Sequence, residues 1–247
     1  MLGNGDGTFT TSALFPNQLI YASSIAVGDF NGDGKTDLAI LGYESLYILL
    51  GNGDGTFSIS APYDYSSGFA AVGDFNGDGI PDLAVLSQGN SENTVHILLG
   101  KGDGTFSPSA TSLTLGEAIG SIAVGDFNGD GKADLAVSNQ LDYSVTYAGS
   151  SVSILLGNGD GTFTAAPTIE NPPVQPRSVL VGDFNGDGIQ DLAVSGYTTQ
   201  IFLAMATELF NLRRYFILLA LPSRSGTLTA MVRQTWLRFG LTITTYM

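Results

Sequence analysis

The sequence contains no cysteine, a single histidine and few basic residues. Without cysteine, the chain has no disulfide framework, no all-cysteine zinc site and no thiol nucleophile. Its 9 Lys and Arg residues stand against 23 Asp and Glu residues among 247. A nucleic-acid-binding protein needs clustered basic side chains to neutralise phosphates, and a protein that binds anionic membranes needs a basic face. The composition therefore excludes both as main roles.

Charged residues of either sign make up only 13% of the chain, whereas apolar residues make up 43%, which is enough to bury a core. The acidic residues comprise 18 Asp and 5 Glu. Residues 1–202 carry a formal charge of −18, from 22 acidic and 4 basic residues, and residues 203–247 carry +4, from one acidic and 5 basic residues. The two parts differ in kind and need separate explanations.

Residues suited to catalysis are also scarce. The lone histidine, His96, lies in the apolar run Thr94–Leu98, which is typical of a strand and not of an acid-base site. No glycine-rich phosphate-binding loop leads into a predicted helix. Paired aspartates could serve a glycosidase, but here they recur four times, whereas an active site needs one pair. The sequence therefore predicts no catalytic residues.

Two short motifs recur along residues 1–202, and we name each by its chemistry. The aspartate loop, Gly-Asp-Phe-Asn-Gly-Asp-Gly-x-x-Asp-Leu-Ala, begins at positions 28, 73, 125 and 182, so the steps are 45, 52 and 57 residues. The glycine hairpin, Gly-x-Gly-Asp-Gly-Thr-Phe, begins at positions 3, 51, 100 and 157. A period near 50 residues is typical of the blades of a β-propeller.

One period predicts four strands joined by tight turns. The first strands are expected at Ser24–Gly28 and Leu38–Leu41, and the next at Leu46–Leu50 and Thr56–Ser60, after Asn-Gly and Asp-Gly turns. No capped amphipathic pattern indicates a helix in residues 1–202. We therefore expect an all-β propeller of four-stranded antiparallel blades, partial or with four to five blades, over residues 1–203. Residues 1–20 would end a preceding blade, and the blades would span 21–68, 69–115, 116–176 and 177–203.

The aspartate loop has the spacing of a calcium-binding loop. Asp29, Asn31, Asp33 and Asp37 stand at positions 1, 3, 5 and 9, and the backbone carbonyl at position 7 can complete a shell of oxygen ligands. Helical calcium loops, such as the EF-hand, carry a carboxylate at position 12, where this chain has the apolar Ile40, Val85, Val137 and Val194. The loop therefore joins two strands. Three carboxylates in nine residues repel one another, and a bound Ca²⁺ would remove that penalty. By contrast, the glycine hairpin has one isolated aspartate, which indicates turn chemistry alone.

These motifs resemble the FG-GAP-like (VCBS-type) repeats related to the integrin α-subunit propeller. The resemblance implies a secreted or surface-attached bacterial protein, commonly with seven blades, and one Ca²⁺ in each aspartate loop, four in all. The implied ligands, the position 7 residue contributing its carbonyl, are Asp29, Asn31, Asp33, Lys35 and Asp37; Asp74, Asn76, Asp78, Ile80 and Asp82; Asp126, Asn128, Asp130, Lys132 and Asp134; and Asp183, Asn185, Asp187, Ile189 and Asp191.

The basic tail, residues 204–247, reads as the repeat translated in the wrong frame. Where a glycine hairpin is due, the sequence is Ala204-Met-Ala-Thr-Glu-Leu-Phe210. The codons GGC AAT GGC GAC GGA ACT TTT encode the expected hairpin, and skipping their first base gives Ala-Met-Ala-Thr-Glu-Leu followed by the first two bases of a Phe codon. The same shift turns codons for the Gly125–Ala136 loop into Gly226–Leu237. We therefore predict that the tail is out of frame, forms no domain and contains no membrane span.

These observations favour a non-catalytic, calcium-binding module of the cell surface or the extracellular space that binds a protein or glycan ligand or mediates adhesion. The exposed candidates for such contacts are aromatic residues of the variable loops, namely Tyr43, Tyr63, Tyr65, Tyr143, Tyr147 and Tyr197. One alternative is part of a propeller enzyme of the polysaccharide lyase or dehydratase type, and another is a non-functional gene fragment. The chain has no signal peptide and begins inside a blade, so we expect a fragment whose open end could pair edge to edge with another chain.

Overall fold

The computed structural model describes residues 2–3, 5–10, 21–60, 62–65, 68–88, 93–115, 119–139, 150–170, 176–196, 198–204, 215–221 and 229–235. All regular elements within these ranges are β-strands, and every pairing between them is antiparallel. The all-β prediction is confirmed.

A short N-terminal hairpin, β1 (Leu2–Gly3) with β2 (Phe9–Thr10), precedes four larger sheets. Sheet 1 contains β3 (Ser24–Gly28), β4 (Asp37–Leu41), β5 (Leu46–Gly51) and β6 (Phe57–Ile59), paired in chain order. Sheet 2 repeats this order with β7 (Gly68–Gly73), β8 (Asp82–Gln88), β9 (Asn93–Gly100) and β10 (Phe106–Leu115). The strands predicted from the sequence of sheet 1 are confirmed to within one residue at each end.

The third and fourth sheets each add strands to the same meander. Sheet 3 contains β11 (Ile119–Gly125), β12 (Asp134–Asn139), β13 (Ser151–Gly157) and β14 (Phe163–Ala165), and β15 (Ile169–Glu170) pairs with β13. Sheet 4 contains β16 (Ser178–Gly182), β17 (Asp191–Ser195) and β18 (Thr199–Phe202). Two strands from the tail, β19 (Tyr215–Leu221) and β20 (Thr229–Thr235), continue sheet 4 from β18.

The chain divides into two compact units, each built around two sheets. The first unit is Met1–Thr114 with Asp160–Thr162, and the second is Leu115–Gly159 with Phe163–Met247. In the first unit, Ala26, Ala39 and Ile48 of sheet 1 share a buried cluster with Leu83 and Val85 of sheet 2. The second unit has an equivalent cluster, which contains Ala136, Ile154, Val179, Leu192, Val194 and Phe202. Each core therefore lies between the facing surfaces of two sheets.

In three of the sheets, the third strand ends on a glycine because another segment of backbone comes close to it there. A Cβ added to Gly51 would lie 2.2 Å from the carbonyl oxygen of Thr36, and the corresponding distances are 2.3 Å for Gly100 and 2.2 Å for Gly157. In sheet 4 the equivalent residue is Ala204, the first residue of the tail. The tail therefore begins with a side chain at a position where the other three sheets have no room for one.

Replacing Gly51 with alanine should destabilise the protein by about 2 kcal/mol, because the new methyl group must displace the Thr36 carbonyl. Gly42→Ala is the matched control, since its Cβ would meet its nearest neighbour, the Ser45 carbonyl oxygen, at 3.4 Å. Urea unfolding measures both variants. Equal free energies of unfolding for the two would contradict the steric argument.

Candidate metal-binding loops

Each aspartate loop turns sharply at two glycines. Positions 4 and 6 of the loop have positive φ angles in all four copies, for example 70° at Gly32 and 79° at Gly34. This region of backbone conformation is open to glycine and strained for residues with a Cβ. The pattern Asn-Gly-Asp-Gly therefore sets the path of the backbone as well as supplying polar side chains.

The side chains at positions 1, 3 and 5 fold over the amides of their own loop. In the first loop, Asp29 Oδ1 and Asn31 Oδ1 both accept a hydrogen bond from the Asp33 N–H, at 3.2 Å and 3.0 Å. Asp29 Oδ2 accepts the Gly34 N–H at 2.9 Å, and Asp33 Oδ1 accepts the Lys35 N–H at 2.9 Å. The other three loops repeat these bonds within 0.2 Å. Because the first two side chains share one donor, their oxygens lie close together.

The aspartate at position 9 has a different environment, because it is fully buried. Asp37 Oδ2 accepts the Phe30 N–H at 2.8 Å, and its Oδ1 accepts the Gly51 N–H at 2.7 Å. Asp82, Asp134 and Asp191 are also buried and make the same pair of bonds, at 2.8–2.9 Å, to their loop phenylalanine and to Gly100, Gly157 or Ala204. One carboxylate thus joins the start of each loop to the end of the third strand. We call these four residues the anchor aspartates.

The charged form of three anchor aspartates, Asp82, Asp134 and Asp191, is disfavoured by its surroundings. Burial raises the pKa of Asp134 to about 6, although its two backbone N–H bonds oppose the shift, and the charges of Asp130 and Asp126 add to it. The pKa values of Asp82 and Asp191 are raised in the same way, each by burial first and then by the aspartates at positions 1 and 5. In these loops the carboxylates at positions 1 and 5 therefore repel the buried carboxylate at position 9.

Position 7 divides the loops into two kinds. Lys35 Nζ lies 3.0 Å from Asp33 Oδ2, and Lys132 Nζ lies 3.8 Å from Asp130 Oδ2, so two loops have a partial internal counter-ion. The other two loops have Ile80 and Ile189 at this position. These isoleucines leave the carboxylates of their loops without a cation from position 7.

The oxygen donors of the loops suit a hard cation, but their arrangement in this structure does not form a complete set of ligands. Within the described part of the chain, no three Asp, Glu or His side chains form a group arranged to hold a metal ion. The structure brings together the predicted side chains at positions 1, 3 and 5, while it binds the position 9 carboxylates to backbone N–H groups. Carboxylate and amide oxygens on a flexible loop are the donors that Ca²⁺ prefers. Calcium binding therefore stays a prediction.

The glycine hairpin has the turn chemistry that its sequence predicts. Asp54 Oδ1 accepts hydrogen bonds from the Thr56 N–H at 2.9 Å and from the Thr56 hydroxyl at 2.6 Å. The hairpins at Asp6, Asp103 and Asp160 repeat both bonds. One oxygen of each of these carboxylates thus closes a tight turn.

The hairpin also has a second role, which its sequence did not reveal. In the first unit the Gly104 N–H donates to the Phe30 carbonyl at 2.9 Å, and the Phe106 ring meets the Phe30 ring edge to face, 5.4 Å between centroids. Gly161, which also lies in the first unit, donates in the same way to the Phe75 carbonyl at 2.9 Å. The hairpin of one sheet therefore holds the aspartate loop of another. No local pattern could have shown this contact, because its two halves are about 75 residues apart in the sequence.

Among the aromatic candidates for ligand contact, the structure separates exposed residues from packed ones. The Tyr43 side chain is 66% exposed on the β4–β5 turn. The Tyr63 hydroxyl accepts the Phe106 N–H at 2.9 Å, and the Tyr65 ring lies 5.0 Å from the His96 ring. His96 is a strand residue, as predicted, and contacts the Ser87 hydroxyl at 3.0 Å. Tyr143, Tyr147 and Tyr197 lie outside the described residues.

Comparison with known families gives the repeats their identity. The model of the FG-GAP-like repeat matches residues 1–40, 29–85, 74–137 and 139–194. The chain belongs to the FG-GAP-like repeat family. This match confirms the resemblance on which the interpretation of the aspartate loops depends. No curated protein is similar to the chain at a significant level.

Two solved structures are similar to this FG-GAP-like protein at low sequence identity. One is a lectin of Agrocybe aegerita that recognises non-reducing terminal N-acetylglucosamine, with a TM-score of 0.52 and 23% identity. The match covers 75% of this chain and 49% of the lectin, so the chain spans about half of the lectin's length. Another is the Tc holotoxin pore of Photorhabdus luminescens, with a TM-score of 0.42 and 20% identity, covering 92% of this chain and 11% of that one. The lectin supports a propeller-like architecture and, at this identity, only the fold.

The sequence predicts that the tail contains no membrane span. Among the residues that it describes, no helix has the length and hydropathy needed to span a bilayer.

Replacing Asp37 with asparagine should cost about 1–3 kcal/mol of unfolding free energy in EDTA, because the amide group can accept only one of the two N–H bonds. Asp54→Asn is the control, since a single Oδ1 accepts both bonds there. Denaturant unfolding in EDTA separates the anchor role from a metal-ligand role. If Asp37 acted only as a calcium ligand, the Asp37→Asn variant would match the parent protein whenever calcium is absent.

The metal-free protein should lose stability as pH rises from about 4 to about 6. The pKa of Asp134 is about 6 in the folded state, above its ordinary value of 3.8, so the folded state holds this proton more tightly. The full contribution is present below pH 4, is lost by about pH 6, and amounts to at most about 3 kcal/mol.

Other titrating groups also change the stability of the protein in this pH range, so the effect of Asp134 is measured against a variant that lacks its carboxyl group. Burial lowers the pKa of His96, which opposes the trend near pH 6. The difference between the parent protein and Asp134→Asn, measured by thermal unfolding in EDTA across this range, isolates the anchor carboxylate. A difference that does not change with pH would show that Asp134 ionises normally.

Proposed function

We propose that this chain is a calcium-binding, non-catalytic module that presents variable loops to a protein or glycan ligand outside the cell or at its surface. The observation that carries the proposal is the accumulation of three carboxylates in each of the four loops, with the carboxylate at position 9 buried. Burial and the neighbouring charges both raise the pKa of Asp82, Asp134 and Asp191. A divalent cation at the loop surface would offset that repulsion.

The cation would be held by the oxygens at positions 1, 3 and 5, with the carbonyl at position 7 and the anchor carboxylate as further donors. When bound, Ca²⁺ supplies two positive charges to a loop that otherwise has at most one lysine. The protein's own contribution is the two glycines, which shape the loop, and the anchor aspartate, which fixes the loop to the third strand. In this account the ion stabilises the loops, and the recognition surface lies in the variable connections.

The ligand-binding half of the proposal is supported by the fold and by composition. In many recognition modules, regular strands hold loops of variable sequence in place, and those loops contact the ligand. The repeated sheets and variable connections of this chain match that pattern. The structurally similar lectin binds a sugar ending in N-acetylglucosamine, and Tyr43 offers an exposed ring of the kind that packs against sugars. An enzyme would be expected to show a motif rich in Arg, His or Tyr in one repeat only, and the sequence of residues 1–202 favours none.

Calcium binding is tested by isothermal titration calorimetry on protein first stripped with EDTA. We expect about four Ca²⁺ per chain, with dissociation constants that reach the millimolar range of extracellular modules. The melting temperature should rise when the sites are saturated. The double variant Asp74→Ala/Asp78→Ala should lose one site, whereas the turn variant Asp54→Ala should keep all four. An unchanged melting temperature at millimolar Ca²⁺ would remove the metal from this account.

Ligand binding is tested with a glycan array that includes sugars ending in N-acetylglucosamine, probed with and without EDTA. We expect binding that Tyr43→Ala weakens and EDTA reduces. A parallel assay for cleavage of acidic polysaccharides addresses the enzyme alternative, and turnover there would contradict the non-catalytic assignment.

A further inference from the structure

Within each unit, the two sheets pack in the same orientation. We call the surface of the earlier sheet in this contact its leading face, and the surface of the later sheet its trailing face. In the first unit, the leading face of sheet 1 contains Ala26 and Phe30, and the trailing face of sheet 2 contains Ala70 and Val72. In the second unit, Ala123 and Phe127 of sheet 3 pack with Val179 and Val181 of sheet 4 in the equivalent positions. A leading face therefore takes a trailing face as its partner.

Sheet 4 has an exposed leading face. Leu180 stands where sheet 1 has Ala26, and Phe184 stands where sheet 1 has Phe30. Leu180 is 64% exposed and Phe184 is 48% exposed, whereas Ala26 is 7% exposed and Phe30 is 1% exposed. Large apolar side chains on a face that is covered elsewhere in the same molecule indicate an interaction surface.

Sheet 1 has an exposed strip of trailing face. Ile25 is 59% exposed and Val27 is 57% exposed, whereas Val179, the residue equivalent to Ile25 in sheet 4, is 3% exposed. Ile40 and Leu49, on the same face of sheet 1, are buried. The open area is therefore the part of the face that lies along β3, the first strand of the sheet.

The first unit shows how first strands meet. The Ala70 N–H of β7 donates to the Ser24 hydroxyl of β3 at 3.1 Å, and the Gly68 N–H donates to the Ser23 hydroxyl at 3.2 Å. In sheet 4, Ser178 stands at the position of Ser24, and in sheet 1, Ile25 stands at the position of Ala70. The two exposed surfaces of one chain thus carry the two halves of a contact that the molecule already makes internally.

We propose that this protein associates head to tail with a second copy of itself, the β3 strip of one copy docking on the leading face of sheet 4 of the next. The contact buries Ile25 and Val27 of one copy against Leu180 and Phe184 of the other. Because the two surfaces differ, the interface is heterologous, and each added copy leaves one surface of each kind open. The assembly therefore grows into a ring or a filament.

Charge sets the conditions under which this contact forms. Each copy has a formal charge of −14, so copies repel one another at low ionic strength. Salt screens that repulsion over distances beyond about 10 Å at 0.1 M while leaving the apolar contact intact. Association should therefore strengthen as salt concentration rises, the opposite of what an interface based on ion pairs would do.

Sedimentation velocity at high salt, from micromolar to millimolar protein, tests the proposal. The parent protein should show species above its monomer mass of 25.7 kDa that grow with concentration. Leu180→Asp blocks one surface and Val27→Asp blocks the other, so each variant alone should stay monomeric. Mixed together, they should form a single 1:1 complex of twice 25.7 kDa, because each supplies the surface that the other lacks.

The experiment has three controls. Tyr43→Asp places the same charge on an exposed side chain outside both surfaces and should associate like the parent protein. Circular dichroism and thermal unfolding establish that each variant is folded, and serine replaces aspartate in any variant that is not. A parent protein that is monomeric throughout, or a mixture that fails to form the 1:1 complex, overturns the proposal. Oligomers that persist in both single variants also overturn it, since they indicate pairing through strand edges.

Discussion

The described structure depends on one repeated interaction, the buried carboxylate that accepts two backbone N–H bonds at the base of each aspartate loop. It connects three parts of a sheet: the turn after the first strand, the start of the second strand and the end of the third. An ionised carboxylate accepts such bonds more strongly than a neutral amide could, and the two N–H donors partly compensate for its burial. In three sheets the donor at the end of the third strand is a glycine, where an added Cβ would lie 2.2–2.3 Å from a backbone carbonyl oxygen, and in sheet 4 the N–H of Ala204 makes the same bond.

This arrangement links stability to electrostatics. The loop surface collects two more aspartates above the buried one, so the feature that fixes the loop also concentrates negative charge. Lysine at position 7 relieves this charge in two loops, and isoleucine leaves it unrelieved in the other two. A bound cation would act on the whole loop at once. If calcium binds as proposed, it would add stability to a framework that hydrogen bonds already define and would not create that framework.

Much of this architecture could be predicted from sequence because the repeats are short and regular. Strand positions followed from apolar runs between Asn-Gly and Asp-Gly turns, and the four loops followed from their spacing. The hydrogen-bonding role of Asp37 could not be inferred, since the same residue type serves as a metal ligand and as a hydrogen-bond acceptor. The sequence also did not predict the contact between Gly104 and Phe30 or the exposure of Leu180. Both depend on how the sheets pack against one another. The tail shows a further limit: its amino-acid sequence predicts a lost reading frame, yet two of its segments form strands that continue sheet 4 from β18.

Amide hydrogen exchange followed by NMR tests the central claim most directly, because it observes the donors of the anchor bonds one by one. The N–H groups of Phe30, Phe75 and Phe127 and those of Gly51, Gly100 and Gly157 should be strongly protected in EDTA, and calcium should change their protection little. The amides on the loop surface, such as those of Gly34 and Gly79, should gain protection only when calcium is added. Rapid exchange of the anchor amides in EDTA, with protection appearing only on calcium binding, would contradict the account and make the ion the primary organiser of the loops.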